Sequence, residues 1–258
     1  MFSLPYFLRI FKSETIRINC CLMNYKLLKG GHLPERKCRE ILELFCDDLT
    51  ATQIADISGV SRVTVNNYFR LIRSAIATFC EASLFSGRGS LTLKTANNNE
   101  DVSCIPVNNP AYYGFYTYKG KVSTAWLKDI CQASILQLQG KDHAAINGGS
   151  VPFFDGYHAV ADFNDWRLYW LNGNTELSSS VNVLPEITGF WKHTKSRLQK
   201  FRGMNKSTLY LHIKECEFRY NFRNDDILTV LTGIISAPRY FKNEEHKNYA
   251  TVYRNGDQ

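Results

Sequence analysis

The sequence predicts an α/β protein in which an N-terminal helical region with a helix-turn-helix precedes a region that mixes strands and helices. Three patterns support this class. Residues 34 to 80 place apolar side chains at helical spacing, and residues 112 to 126 alternate as the two strands of a hairpin do. Residues 185 to 223 return to helical spacing and predict two helices joined at Gly203.

Composition narrows the class of protein. The 258 residues are 44% apolar and 13% aromatic, which is typical of a folded chain rather than a disordered one. The net charge of +7 permits nucleic acid or an anionic membrane as a partner and does not by itself decide between them. Eight cysteines form no C-x-x-C pair, so neither a zinc ribbon nor a redox dithiol is indicated, and reduced thiols predict an intracellular location, in cytoplasm or nucleus. Pro5 and Arg9 interrupt the first apolar run, so no membrane partner is expected.

The segment from residue 50 to residue 73 predicts a helix-turn-helix. Thr50 or Thr52 can cap a short helix, Gly59 suits the turn, and Ser61 can cap the next helix. The second helix would bury Val65, Phe69 and Ile72. Its outward side chains, which can donate to bases and phosphates, are Arg62, Thr64, Asn66, Asn67, Arg70 and Arg73. A plain helical bundle with a polar face is the structural alternative.

The central segments give weaker patterns. Residues 83 to 110 are rich in Gly, Asn and Pro, so loops are predicted there, with one strand over residues 90 to 95. The further elements predicted are a helix over 127 to 138, a strand over 151 to 154, a short helix over 157 to 163, a strand over 167 to 171 and a last helix over 228 to 234.

The stretch from Pro185 to Arg223 is strongly basic, with nine Lys or Arg against three Glu. A basic helical pair that also carries aromatic residues is typical of a nucleic-acid-binding surface. A solvated charged face over an ordinary core would give the same sequence pattern. The candidate phosphate contacts in this stretch are Lys192, Lys195, Arg197, Lys200, Arg202 and Arg219.

The order of residues in this stretch adds a family resemblance. F-W-x-x-x-K-x-R-L-x-K-F-R-G, from Phe190 to Gly203, and L-H-x-K-E-C-E-F-R-x-N-x-R, from Leu211 to Arg223, resemble the end of the catalytic domain of DDE transposases of the Merlin type and their bacterial insertion-sequence relatives. The resemblance implies an RNase H-like domain, a mixed sheet flanked by helices, acting on double-stranded DNA as a homodimer. The domains would be an arm over residues 1–33, the helix-turn-helix region over 34–82, the RNase H-like domain over 83–236 and a polar tail over 237–258.

The resemblance also implies a metal site, and this sequence departs from it. Family members hold Mg²⁺ or Mn²⁺ with three carboxylates, the hard oxygen ligands that such ions prefer. Asp155 matches the second acid, but Lys94 and Thr188 stand where the first and third are expected. Glu186 lies two residues before Thr188, which places it about 200° away around a helix. Because it follows Pro185, it would lie in the first helical turn, where its charge stabilises the helix N-terminus.

Three functions follow as hypotheses. The first is a transposase-related DNA-binding protein, a pseudoenzyme that has lost strand-transfer chemistry and needs no cofactor. The second is an active transposase with a rearranged acidic triad, in which Asp155 and Glu186 join Glu100 or Asp101 and bind the metal. The third is a domesticated scaffold that binds protein partners.

Overall fold

The structure is a computed structural model that describes residues 33–87, 111–127, 130, 135, 138, 156–171, 183–199 and 206–236. Helices and strands both occur in these ranges, which confirms the predicted α/β class. The helices are α1 (Glu35–Cys46), α2 (Ala51–Ser58), α3 (Arg62–Gly87), α4 (Pro185–Leu198), α5 (Lys206–Asn221) and α6 (Ile227–Ser236). The strands are β1 (Tyr112–Tyr118), β2 (Lys121–Trp126), β3 (Ala159–Asp162) and β4 (Arg167–Trp170).

The chain divides into two compact units, residues 1–68 (unit 1) and 69–258 (unit 2). The division falls inside α3, which is one continuous helix. The domain boundaries that the sequence predicts, after residues 33, 82 and 236, stay predictions.

In unit 1, α1 packs against α2 through an amphipathic face. Its buried side chains are Cys38, Ile41, Leu42 and Phe45, spaced as one stripe of a helix requires. The Lys37 ammonium donates to the carbonyl of Ser58 at 2.7 Å, which fastens α1 to the last residue of α2.

The connection from α2 to α3 follows the predicted local chemistry. Thr50 forms a capping box with Gln53, in which each residue's side chain accepts a hydrogen bond from the other's backbone N–H. Gly59 ends α2 with φ at 68°, a left-handed conformation that favours glycine. The hydroxyl of Ser61 then accepts from the N–H of Thr64 at 3.2 Å and caps α3. The predicted caps at Thr50 and Ser61 and the turn at Gly59 are therefore confirmed.

The described strands of unit 2 form a sheet of order β2-β1-β3-β4 in which every pairing is antiparallel. The predicted hairpin over residues 112 to 126 is confirmed, with Lys119 and Gly120 at positive φ (50° and 76°) in its turn. The described strands are thus not a mixed sheet of parallel and antiparallel pairs, and the RNase H-like arrangement stays a prediction.

Both faces of the sheet are covered. Because side chains alternate along a strand, Tyr113 and Phe115 of β1 point to one face and Tyr112 to the other. The first face packs with apolar side chains of α4 and α5, among them Phe190 and Ile213. On the second face, the side chains that pack with Tyr112 are Leu127, Ile130, Ile135 and Val160.

One predicted element is wrong and several lie outside the described residues. The sequence predicts a short helix over residues 157 to 163, but Ala159–Asp162 is strand β3, bonded to β1 on one side and β4 on the other. Alanine favours helices, yet here two neighbouring strands take up the backbone groups and override that preference. The predicted strands over 90–95 and 151–154, Gly203 and the tail fall outside the described residues, as does most of the helix predicted over 127–138.

Candidate nucleic-acid interface

The start of α3 presents a polar and basic outer face. Arg62, Asn66, Asn67 and Arg70 are exposed, as the sequence predicts. Thr64 is half-buried, and its hydroxyl lies 2.9 Å from the hydroxyl of Ser61, so it belongs to the cap of the helix.

The opposite side of α3 fixes the orientation of this face. Val65, Phe69 and Ile72, predicted as inward residues, are all buried. In unit 1, Tyr68 is also buried, and its hydroxyl lies 3.0 Å from the thiol of Cys38 on α1. Since one side of the helix is buried at positions 65, 68, 69 and 72, helical geometry leaves residues 62, 63, 66, 67 and 70 facing outward.

Sequence reasoning missed one member of this outer face. Val63 is 71% exposed and is among the most exposed large hydrophobic side chains of the described residues. The spacing of Val63 could have predicted its place on this face. Residues 63, 66, 67 and 70 stand at i, i+3, i+4 and i+7 and so share one helical stripe.

Arg73 does not lie on the exposed face where the sequence predicts it. Only 9% of it is exposed, and its Nε donates to the Glu215 carboxylate at 2.7 Å. Its guanidinium also lies 5.0 Å from the centroid of the Phe69 ring. We therefore withdraw Arg73 as a DNA contact, since a buried and ion-paired guanidinium cannot reach a phosphate.

Two further predicted DNA contacts converge on the same carboxylate. Arg197 of α4 and Arg219 of α5 bond Glu215 Oε1 at 2.5 and 3.0 Å, and both arginines are buried. Burial alone would raise the pKa of Glu215, but Arg73, Arg197 and Arg219 outweigh it and hold that pKa well below its usual range. These arginines stabilise a buried anion inside unit 2, so they too are withdrawn as contacts to DNA.

A second buried ion pair spans one turn of α5 and flanks Glu215 in sequence. Lys214 and Glu217 are 2.9 Å apart, and both also bond Thr124 of β2. Burial lowers the pKa of Lys214, but the charge and hydrogen bond of Glu217, together with Cys80 and Glu81, outweigh burial and raise that pKa overall. The charged residues of the K-E-C-E-F-R motif therefore form ion pairs inside unit 2. They do not lie on a basic outer surface.

The remaining predicted basic contacts of the second unit differ in exposure. Lys192 is exposed, whereas Lys195 is half-buried, with its Nζ donating to the Trp166 carbonyl at 3.1 Å and lying 5.4 Å from the Trp191 ring centroid. Lys200 and Arg202 lie outside the described residues.

Of the residues considered for the metal site, the structure describes Thr188 and Glu186. The Thr188 hydroxyl donates at 3.2 Å to the carbonyl of Leu184, the residue that caps α4. Glu186 is exposed in the first turn of α4, directly after Pro185. A carboxylate in this position stabilises the N-terminus of a helix. Lys94 and Asp155 lie outside the described residues, and within those residues no group of three His, Cys, Asp or Glu could hold a metal ion.

Two further findings bear on function. None of the helices in the described part of the chain is long and apolar enough to cross a membrane. Among known proteins, the chain is similar to a transposase-like protein of Haemophilus influenzae that is itself uncharacterised. The two are 30% identical over 105 residues, which is 40% of this chain and 83% of the relative. No family model matches the chain, and no solved structure matches it.

Proposed function

Because the chain belongs to a family of transposase-like proteins, we propose that it is a transposase-related DNA-binding protein that contacts duplex DNA through a helix-turn-helix. The motif consists of α2, the connection at residues 59–61 and the first turns of α3. The observation that carries the proposal is the outer face of α3, where Arg62, Asn66, Asn67 and Arg70 are exposed together. No acidic residue lies between Ser61 and Cys80 to oppose a phosphate backbone.

The chemistry of this face suits both kinds of contact that such proteins make. In a helix-turn-helix, the second helix lies in the major groove and its first turns meet the base edges. Arginines neutralise phosphates or pair with guanine, and asparagine amides can pair with adenine. The buried side of α3 holds this face in place. A firmly held helix loses little conformational freedom when it docks.

For the second unit, the proposal is an RNase H-like domain of the Merlin type whose metal-dependent strand transfer has been lost. Two observations support the loss. The Thr188 hydroxyl donates to the Leu184 carbonyl just before α4, and Lys94 brings a positive charge to the position where the family resemblance expects the first acid. Three carboxylates are needed to hold the Mg²⁺ or Mn²⁺ pair, and a lysine among them would repel the ions. The resemblance adds the expectation that two copies bind DNA together.

Duplex binding tests the first half of the proposal. The double variant Arg62→Ala/Arg70→Ala should bind a random-sequence duplex about tenfold or more weaker at physiological salt, because two phosphate or base contacts are lost. The slope of log affinity against log salt should become shallower by about two. Fluorescence anisotropy with a labelled duplex measures both quantities.

The matched control is Arg167→Ala, which removes an exposed arginine at the start of β4. It should leave affinity and salt slope near those of the natural chain. If the double variant binds as well as the control does, the helix-turn-helix assignment is wrong and the affinity comes from elsewhere on the chain.

Strand nicking tests the second half. The natural chain and Asp155→Ala should both leave supercoiled DNA intact in the presence of Mn²⁺, while both retain duplex binding. Nicking by the natural chain that disappears with Asp155→Ala would overturn the proposed loss and favour the rearranged triad with Glu186.

A further inference from the structure

The outer stripe of α3 mixes one apolar side chain with polar ones. Val63, Asn66, Asn67 and Arg70 share this stripe, and all four are exposed. Valine is a weak helix former because its branched side chain loses rotamer freedom in a helix. At 71% exposure it also gains little from burial within the fold. Val63 therefore stabilises neither the helix nor the core to any extent.

The surroundings of Val63 indicate what would cover it. Arg62 precedes it, Arg70 lies two turns further along, and the stretch from Ser61 to Cys80 carries no acid. A partner that covers this stripe together with Arg62 must match two positive charges, two amides and one small apolar group. The major groove of DNA offers all three, because it displays phosphates at its rims, hydrogen-bonding base edges on its floor and the 5-methyl group of thymine.

The amides and the valine select the same kind of base pair. An asparagine amide can donate to N7 and accept from N6 of adenine, while a small apolar side chain contacts the methyl of thymine. Successive residues rise about 1.5 Å along a helix, so Val63 and Asn67 are about 6 Å apart along the axis. That distance spans about two base-pair steps of roughly 3.4 Å each.

We propose that Val63 is a specificity-determining residue that packs against the 5-methyl group of a thymine, next to an A·T pair read by Asn66 and Asn67. The inference rests on the proposed DNA binding and adds its sequence preference, namely adjacent A·T pairs. Arg62 and Arg70 supply affinity in this arrangement, whereas Val63 and the asparagines supply discrimination.

Replacing thymine by deoxyuridine tests the contact, because deoxyuridine pairs identically and lacks only the methyl group. Preferred duplexes are first selected from a random-sequence library with the full chain, and each thymine of the selected site is then replaced in turn. For the natural chain, one such replacement should weaken binding about fourfold, the effect of exposing a single buried methyl group. The Val63→Ala variant should bind the thymine and deoxyuridine duplexes within about twofold of each other.

Val63→Ala should fold normally, since the side chain is exposed and alanine is the better helix former. The matched control is Val183→Ala, the same change at an exposed valine of unit 2, 53% exposed. It should keep the full preference for thymine.

The outcomes separate this inference from the function on which it rests. If the natural chain binds duplexes through Arg62 and Arg70 but tolerates deoxyuridine at every position, the valine contact is wrong and DNA binding stands. An unchanged thymine preference in Val63→Ala overturns the assignment in the same way. If no duplex is bound, or if Arg62→Ala/Arg70→Ala has no effect, the proposed function fails first, and an apolar protein partner for Val63 becomes the better explanation.

Discussion

At the scale of single residues, the carboxylate of Glu215 organises the buried charge of unit 2. Fully buried, it accepts hydrogen bonds from arginines on three helices: Arg73 on α3, Arg197 on α4 and Arg219 on α5. A carboxylate that accepts several charge-assisted bonds is strongly stabilised in its ionised form. The Glu215 side chain thus links α5 to α4 and to α3, whose Arg73 is 142 residues away in sequence.

Glu215→Gln should destabilise the protein severely. The amide keeps the size of the carboxylate but removes the negative charge, which leaves buried arginines without this counter-charge. Breaking a buried ion pair from one side costs about 3–5 kcal/mol, and we expect a loss of that size in the free energy of unfolding, measured by urea denaturation.

The control for this change is Glu186→Gln, the same substitution at an exposed glutamate in the first turn of α4. It should cost less than about 1 kcal/mol, the usual worth of a favourable charge at a helix N-terminus. Equal losses in the two variants would show that the Glu215 network contributes little to stability.

The sequence could not reveal this network, and the reason is physical. Arginine, lysine and glutamate are seldom fully buried, so a basic motif predicts an exposed surface. The partners Arg73 and Glu215 lie 142 residues apart, and no local pattern links them. By contrast, Arg62, Asn66, Asn67 and Arg70 were predicted correctly as outward residues, because the apolar positions between them set the phase of the helix.

At the scale of elements, α5 shows how a polar helix can lie inside a protein. Among the described strands β2 is at the edge of the sheet, and α5 side chains bond the backbone groups along it. Glu217 accepts from the N–H of Thr124 at 3.0 Å, and the Asn221 amide bonds both the N–H and the carbonyl of Val122.

The spacing of these contacts explains part of the motif. Four residues along α5 rise about 6 Å, and two residues along β2 rise about 6.6 Å, so Glu217 and Asn221 meet Thr124 and Val122 in register. The helix thereby satisfies a strand edge that would otherwise offer unpaired backbone groups. Helical periodicity alone could not predict this, because every face of α5 from residue 212 to residue 219 is buried.

The left-handed conformation of Gly59, in the turn between α2 and α3, leads to a prediction about stability. Gly59→Ala should lower the free energy of unfolding by about 1–2 kcal/mol, because Gly59 has φ at 68° and a side chain disfavours that region. A Cβ there would meet nothing within 4 Å, so the expected cost is conformational and not a clash. Gly59→Asn should cost less, since asparagine tolerates this conformation better. Thermal denaturation of both variants measures the difference, and equal losses would indicate a cause other than the backbone.

At the scale of the whole molecule, part of the positive charge that contributes to the net charge of +7 is buried. Lys214 and the arginines at 73, 197 and 219 contribute to that charge from buried positions, where they pair with Glu215 and Glu217. These buried cations are paired with carboxylates, so a polyanion at the surface does not meet them directly.

The burial of His212 near arginines should make the free energy of unfolding depend on pH. His212 is 8% exposed, and burial, together with the nearby Arg73, lowers its pKa to about 3. In the unfolded chain the same histidine has a pKa near 6.5. Below that value only the unfolded state takes up the proton, so the free energy of unfolding should fall as the pH drops from about 6.5 towards 3. By pH 5 the expected loss is about 2 kcal/mol.

Urea denaturation at a series of pH values between 7 and 5 measures this loss, and His212→Gln supplies the comparison. Over this range Glu215 stays ionised in both states, since its contribution is lost only as the pH falls below the usual range of a glutamate. The His212→Gln variant should therefore show a shallower pH dependence than the natural chain. If the two slopes are the same, His212 takes up its proton in the folded state, and the arginines beside it repel that proton less than their positions imply.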